Sequence, residues 1–248
     1  MRRWRYPLSL LSGALLPLAF APFELFFVAP LSYAALFFSW RGATPREAFL
    51  AGIVYGLGSF GTGTYWTYIA IHDFGGAPIP LAVLASFALM LTLALFVGAG
   101  GWIAARYFKT SGAVAWLCTL PAVFVLTEWL RGWMFTGFGW LSAGYSQTSS
   151  WLSGLAPVIG VHGMSLAVLV IAGALLTLVL GSRRERAAAV AAVAVIVAAG
   201  YAAGSRSWTE PKDSELSVAL VQGAVEQDLK WRPDLLPGTS RKNSRCRS

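Results

Sequence analysis

The sequence predicts an all-α bundle of about seven membrane-spanning helices, followed by the first strand of an α/β domain. Three observations carry that prediction. The 248 residues are 56% hydrophobic and only 12% charged, whereas a soluble domain carries about a quarter charged residues. Seven apolar runs approach the length of a bilayer crossing, about 20 residues with a range of about 17–25. Positive residues cluster in alternate connections between those runs, the pattern that orients a chain in a membrane.

The runs are Leu8–Phe23, Leu25–Trp40, Ala48–Ile71, Pro80–Ala105, Ala113–Leu130, Leu152–Leu180 and Ala187–Ala203. The first two are short and joined tightly by "AFAPFE", so they are either tilted spans or a hairpin dipping partway into the bilayer. Both readings return the chain to its starting side. "MRRWR" before an apolar run ending in Ala19-Phe20-Ala21 has the outline of a signal peptide, but Pro22 directly after that site argues against cleavage. The 11 Trp, 15 Phe and 8 Tyr gather near the ends of the runs, as interfacial belts require.

Arg2, Arg3 and Arg5, then Arg41 and Arg46, then Arg106 and Lys109, then Arg183, Arg184 and Arg186 lie in alternate connections. The intervening ones before residue 204 contain only Arg131. The N-terminus is therefore expected in the cytoplasm and residue 205 on the opposite face. The net charge of +8 sits between apolar segments rather than along one face, which argues against nucleic acid as a partner.

The outward connections carry the candidate chemistry. "GLGSFGTGTYWTYIAIHDFGG" places Gly56, Gly58, Gly61 and Gly63 near the end of the third run, for close helix packing or for admitting a lipid chain. Trp66 and Tyr68 read as interfacial anchors, and the adjacent His72 and Asp73 as a solvated loop pair. The only other histidine, His162, reads as core or interface packing. "TEWLRGWMFTGFGWLSAGYSQ", residues 127–147, is the most informative stretch. Glu128 and Arg131, three apart, share a helix face and can pair, either fixing the helix end or holding polar headgroups. The segment Thr136–Gln147 is too polar and glycine-rich for a lipid-exposed helix. Irregular backbone at that depth must be buried in protein or line a watery cavity, so a headgroup-level cavity open to the outside is expected. Its candidate lining is Trp66, Glu128, Arg131, Trp140, Tyr145 and Gln147.

Beyond the last run, "ELSVALVQG" contains the apolar stretch Val218–Val221, which suits a strand buried on both faces. The expected division is a membrane domain over 1–204, the opening of an outward α/β domain over 205–236, and a disordered or out-of-frame tail over 237–248. Cys118 lies in an apolar run and Cys246 in a basic tail, so neither a disulfide nor a metal-ligand spacing is indicated, and no cofactor is implied.

"FAPF", the glycine-rich approach to Trp66, "EWLRGWMFTGFGWLSAGYSQ", "GLAPVIGVHGMS" and "VALVQGAVEQDLKW" occur here in the order in which they run in one known family. From about residue 8 to about 236 the chain resembles the N-terminal membrane half of the bacterial apolipoprotein N-acyltransferases; Gly139, where the family commonly has proline, is a departure. The resemblance implies an inner-membrane enzyme with a periplasmic nitrilase-like domain. Such an enzyme moves an acyl chain from a phospholipid, through a cysteine thioester, to the α-amino group of a diacylglyceryl-cysteine lipoprotein. It implies a Glu base, a Lys and a Cys nucleophile, none of which is assignable here, so these residues alone are expected to be inactive. A transporter or channel is the rival class. Few ionisable residues mark a substrate path through its spans and no inverted repeat is apparent. A non-enzymatic structural remnant is the third reading.

Overall fold

The computed structural model describes residues 2–210 and 217–220. Within them the regular structure is helical: α1 (Arg5–Leu15), α2 (Val28–Trp40), α3 (Pro45–Gly63), α4 (Trp66–Ile69), α5 (Ile79–Tyr107), α6 (Leu120–Arg131), α7 (Ala156–Leu180) and α8 (Arg183–Gly204). Two compact units are delimited, Met1–Trp208 and Thr209–Ser248, and all of the helices belong to the first.

Three stretches are long and apolar enough to cross a membrane, Ile79–Tyr107, Trp151–Leu180 and Arg183–Gly204, with Val28–Trp40 a shorter apolar helix. This marks a membrane protein, but the expected count of seven is not reached by length and composition. The reason lies in how the remaining apolar runs break. The first divides into α1, of 11 residues, and a tight turn at Leu16–Ala19, and α1 rises only about 16 Å at 1.5 Å per residue. The third breaks at Thr64 between α3 and α4. The fifth opens as a π-helical turn, Ala115–Thr119, before α6.

Helix starts follow local chemistry. Thr44 and Glu47 form a reciprocal capping box ahead of α3, with Pro45 at its first position, and Ser182 and Glu185 do the same for α8, satisfying backbone N–H groups that the helix itself leaves open. Both acids also reach across the fold. Glu47 pairs with Arg5 at 2.8 Å, and Glu185 accepts from the Ala113 backbone N–H at 3.2 Å. The basic connections are thereby tied to one another as well as to the helices they start.

Packing in the bundle relies on small residues, which let backbones approach where the hydrophobic effect gives little drive. A side chain at Gly52 would strike Gly98 of α5, one at Gly56 would strike Ala94, and one at Gly58 would strike the Leu10 carbonyl of α1. Gly63 faces Leu141 and Pro17, while nothing lies within 4 Å of a Cβ built at Gly61. Three of the four glycines near the end of α3 therefore serve packing, against two or more different neighbours. Tyr33, Leu36, Phe37, Trp40 and Tyr55 are fully buried. Ser32 stitches the first three helices together, donating to the Ser12 carbonyl at 2.7 Å and sharing a 2.7 Å hydrogen bond with the Tyr55 hydroxyl.

The strand expected over Val218–Val221 is not formed where it is described, since residues 217–220 have no regular structure. A strand needs a paired neighbour to persist, and no strand exists among the described residues. The rest of 205–236 past residue 210, and the tail 237–248, lie outside them.

Candidate functional site

The last turn of α6 carries Glu128 and Arg131 into the bundle, where they are 3% and 4% exposed. Their spacing does put them on one face, but among the described residues no ion pair joins them within 4.0 Å. Each charge instead holds backbone of the segment that follows. The Arg131 guanidinium donates to the carbonyls of Phe138 at 2.9 Å and Trp140 at 2.7 Å, and to the Ser142 hydroxyl at 3.3 Å. It also lies 5.1 Å from the centre of the Phe60 ring, within cation–π range. Glu128 accepts from the Ala143 backbone N–H at 2.8 Å and from the Ser165 hydroxyl of α7. Ser165 in turn accepts from the Gly144 N–H at 2.8 Å.

The physical logic is that of buried irregular backbone. From Gly132 to Ser150 the chain makes only short 3-10 turns, Met134–Thr136 and Ala143–Gln147. Its N–H and C=O groups are not paired by a helix and, where buried, must be satisfied by other groups of the protein. Arg131 supplies donors in a fixed fork and Glu128 supplies acceptors, so each charge meets the polar groups it needs. Buried charges are tolerated when so compensated. Gln147, 3% exposed, extends the set by donating to the Phe26 carbonyl at 3.2 Å and to Ser146 at 2.8 Å.

The space beside Glu128 and Arg131, lined also by Tyr33, Tyr55, Ser59 and Leu141, is about 20 Å³, room for about one water molecule. The loop lies against the charges, its Phe138 and Trp140 carbonyls accepting from Arg131 and its Ala143 N–H donating to Glu128.

The aromatic candidates lie on the outside instead. Trp66 and Trp140 meet edge to face with ring centres 5.5 Å apart, and Trp66, Trp140 and Tyr145 are all exposed. The six candidates thus divide into an inner polar set, Glu128, Arg131 and Gln147, and an outer aromatic set, joined because Arg131 grips the Trp140 carbonyl.

Two side-chain partners of the inner set are not evident from sequence reasoning. Ser142 and Ser165 are ordinary hydroxyls until the fold brings them to the charges. His162, expected only to pack, puts Nδ1 3.8 Å from Glu128, and that nitrogen makes no hydrogen bond among the described residues. The available signal was that His162 and Ser165 stand three apart on α7 and face the same neighbour. His72 and Asp73, expected as a solvated loop pair, instead lie in the π-helical turn Ala70–Phe74, with His72 Nδ1 2.7 Å from the Ala77 carbonyl and Asp73 3.9 Å from the ring. Cys118 is exposed on the turn before α6, and Cys246 lies outside the described residues.

With this geometry in place, the comparisons agree. A family model described as the apolipoprotein N-acyltransferase N-terminal domain matches residues 12–174. The chain is similar to proteins named apolipoprotein N-acyltransferase from three bacteria. It is 43% identical over 227 residues to that of Methylococcus capsulatus, covering 92% of this chain and 45% of the relative. It is 45% identical over 232 residues to that of Azotobacter vinelandii, with the same two shares of 92% and 45%. With that of Coxiella burnetii the identity is 40% over 234 residues, covering 94% and 48%. The chain spans about half the length of the curated relatives it matches.

Proposed function

The chain belongs to the apolipoprotein N-acyltransferase family, and from that premise we propose that it supplies the membrane domain of an enzyme of lipoprotein maturation. The reaction is transfer of an acyl chain from a phospholipid to the N-terminal amine of a diacylglyceryl-cysteine lipoprotein, through a cysteine thioester. The observation that carries the reading is similarity over 92% of this chain to relatives so named, running through the loop braced by Glu128 and Arg131.

In this proposal the six candidates divide their work. Glu128, Arg131 and Gln147 are positioning residues that fix the shape of the loop between α6 and α7. Trp66, Trp140 and Tyr145 form the surface that this shape presents to lipid at the outer interface, where amphipathic rings sit well. The domain lies in a bacterial inner membrane with its N-terminus in the cytoplasm and seven crossings over residues 1–204. Residues 205–236 open an outward α/β unit. A reporter fused at residue 205 that is active only in the cytosol would refute that orientation.

These 248 residues by themselves form no acyl-enzyme. The purified chain incubated with phospholipid is expected to carry no thioester-linked acyl group by mass spectrometry, and finding one would overturn this part. The family role is tested by a chimera. Residues 1–204 replace the matching part of the Azotobacter vinelandii relative, and N-acylation of a diacylglyceryl-cysteine peptide is measured. A folded chimera without activity contradicts the proposal.

A further inference from the structure

α8 has 22 residues, about 33 Å of helix at 1.5 Å per residue, against a hydrocarbon core of about 30 Å. Its two ends therefore reach opposite interfaces. Arg183, Arg184 and Arg186 stand at one, and Ser205–Trp208 at the other. At the second end, α8 meets the turn Trp151–Leu155 and the start of α7, leaving a groove of about 560 Å³ whose lining includes Trp151, Gly154, Pro157, Tyr201, Arg206 and Trp208. That is within the size range of small-molecule sites, about 300–1,000 Å³.

The groove has a defined construction. Its floor is backbone, because a side chain at Gly154 would collide with Gly200 and Gly204, so helix and turn press directly together. One wall is a stacked aromatic pair, Trp151 and Tyr201, with ring centres 6.3 Å apart and planes 8° from parallel. Trp208 is fixed at the rim by donating its indole N–H to the Ala203 carbonyl at 3.1 Å. Arg206 is anchored through its backbone N–H to the same carbonyl at 3.2 Å. Its side chain is exposed, and no ion pair or hydrogen bond engages the guanidinium among the described residues.

We propose that this groove binds the headgroup of a glycerophospholipid, with the phosphate on Arg206 and the first acyl carbons along Trp151 and Tyr201. Three chemical features point to that ligand. A guanidinium offers paired donors that match a phosphodiester. Aromatic plates beside it suit the boundary where polar headgroup gives way to acyl chain. Finally, Arg206 stands at the end of α8 opposite the cluster of three arginines, so it does not belong to the orienting charges and is free for another task. The inference rests on the membrane placement proposed above and deepens it, since a lipid held here is a donor molecule stored at the outer interface.

The test uses the full chain in detergent, titrated with short-chain phosphatidylglycerol and read by native mass spectrometry, with helical circular dichroism as the folding control. The parent is expected to hold one phospholipid. R206Q weakens its binding about tenfold, the factor for losing one charge-assisted hydrogen bond. R206K weakens it less, W151A weakens it through the wall, and R183Q at the opposite end leaves it unchanged. Inorganic phosphate at equal concentration does not displace the lipid. Equal binding by R206Q and the parent, or full displacement by phosphate, overturns the proposal. An inactive chimera combined with Arg206-dependent binding removes the acyltransfer reading and leaves the groove, whereas the converse removes the groove alone.

Discussion

Replacing Arg131 by methionine keeps an unbranched, though shorter, side chain and deletes its donor fork. The loss is three hydrogen bonds, two of them short, to the carbonyls of Phe138 and Trp140 and to the Ser142 hydroxyl. Interhelical hydrogen bonds in membrane proteins average about 0.6 kcal/mol with a maximum near 1.7. A buried carbonyl left unmet costs about 1–3 kcal/mol. Three bonds, with two carbonyls only partly buried, give a destabilisation of about 2–4 kcal/mol. For a domain of this size that is a fall in Tm of about 4–16 °C, at about 2–4 °C per kcal/mol. The assay is thermal unfolding in detergent followed by circular dichroism, paired with limited proteolysis of the loop from Gly132 to Ser142. R131K is expected to fall between the two, because an ammonium is a point charge and cannot fork between two carbonyls. If R131M melts with the parent and its loop resists protease equally, the brace is not what holds the loop and the reasoning fails.

Two further predictions rest on other parts of the fold. The Glu47 carboxyl is held down to about 2, first by the Thr44 backbone N–H and then by Arg5. Because its folded value lies below the ordinary one of about 4.3, its stabilising contribution is complete above that ordinary value and is lost as pH falls toward 2. Glu47→Gln should therefore flatten the stability profile between about pH 4.5 and pH 2, and a profile identical to the parent's in that window would contradict the assignment. The glycines predict opposite signs. Alanine in a helix is ordinarily about 1 kcal/mol better than glycine, and Gly61, with nothing near its missing Cβ, should gain stability on Gly61→Ala. At Gly173 the added carbon would overlap the Trp116 carbonyl, so Gly173→Ala should lower Tm despite the same propensity gain. Melting curves of the two variants moving in the same direction would refute the packing argument.

What was legible in the sequence was what depends on composition and short spacing. Apolar runs mark the long helices, because a spanning segment must be apolar along its length. Where the apolar runs break was not legible. Leu16–Ala19 and Thr64 fall inside runs that the sequence reads as continuous, and the packing of Gly63 against Pro17 and Leu141 shows the chain turning there. Glu128 and Arg131 announced a shared face by their spacing, but their partners did not, because backbone carbonyls and N–H groups are present at every residue. Mutual pairing was the natural expectation for opposite charges, and backbone ligation is what the fold uses.

That difference bears on why two charges are kept inside a membrane bundle at all. If they served mainly to neutralise each other, two apolar residues of similar volume would do as well or better. Their partners are instead carbonyl and N–H groups of the segment from Phe138 to Ala143, which no helix satisfies and no apolar side chain can. The loop between α6 and α7 that includes this segment holds Phe135, Thr136 and Leu141 at φ of 54°, 75° and 58°, backbone values that cost non-glycine residues about 1 kcal/mol or more each. A helix continued through this region would need neither the strain nor the charges. The chain spends both on one particular loop shape, and the outward product of that shape is the placement of Trp140 against Trp66. A brace that strong, feeding a single exposed aromatic pair, is the reason the proposed lipid contact is assigned to the rings and the charges are assigned to holding them.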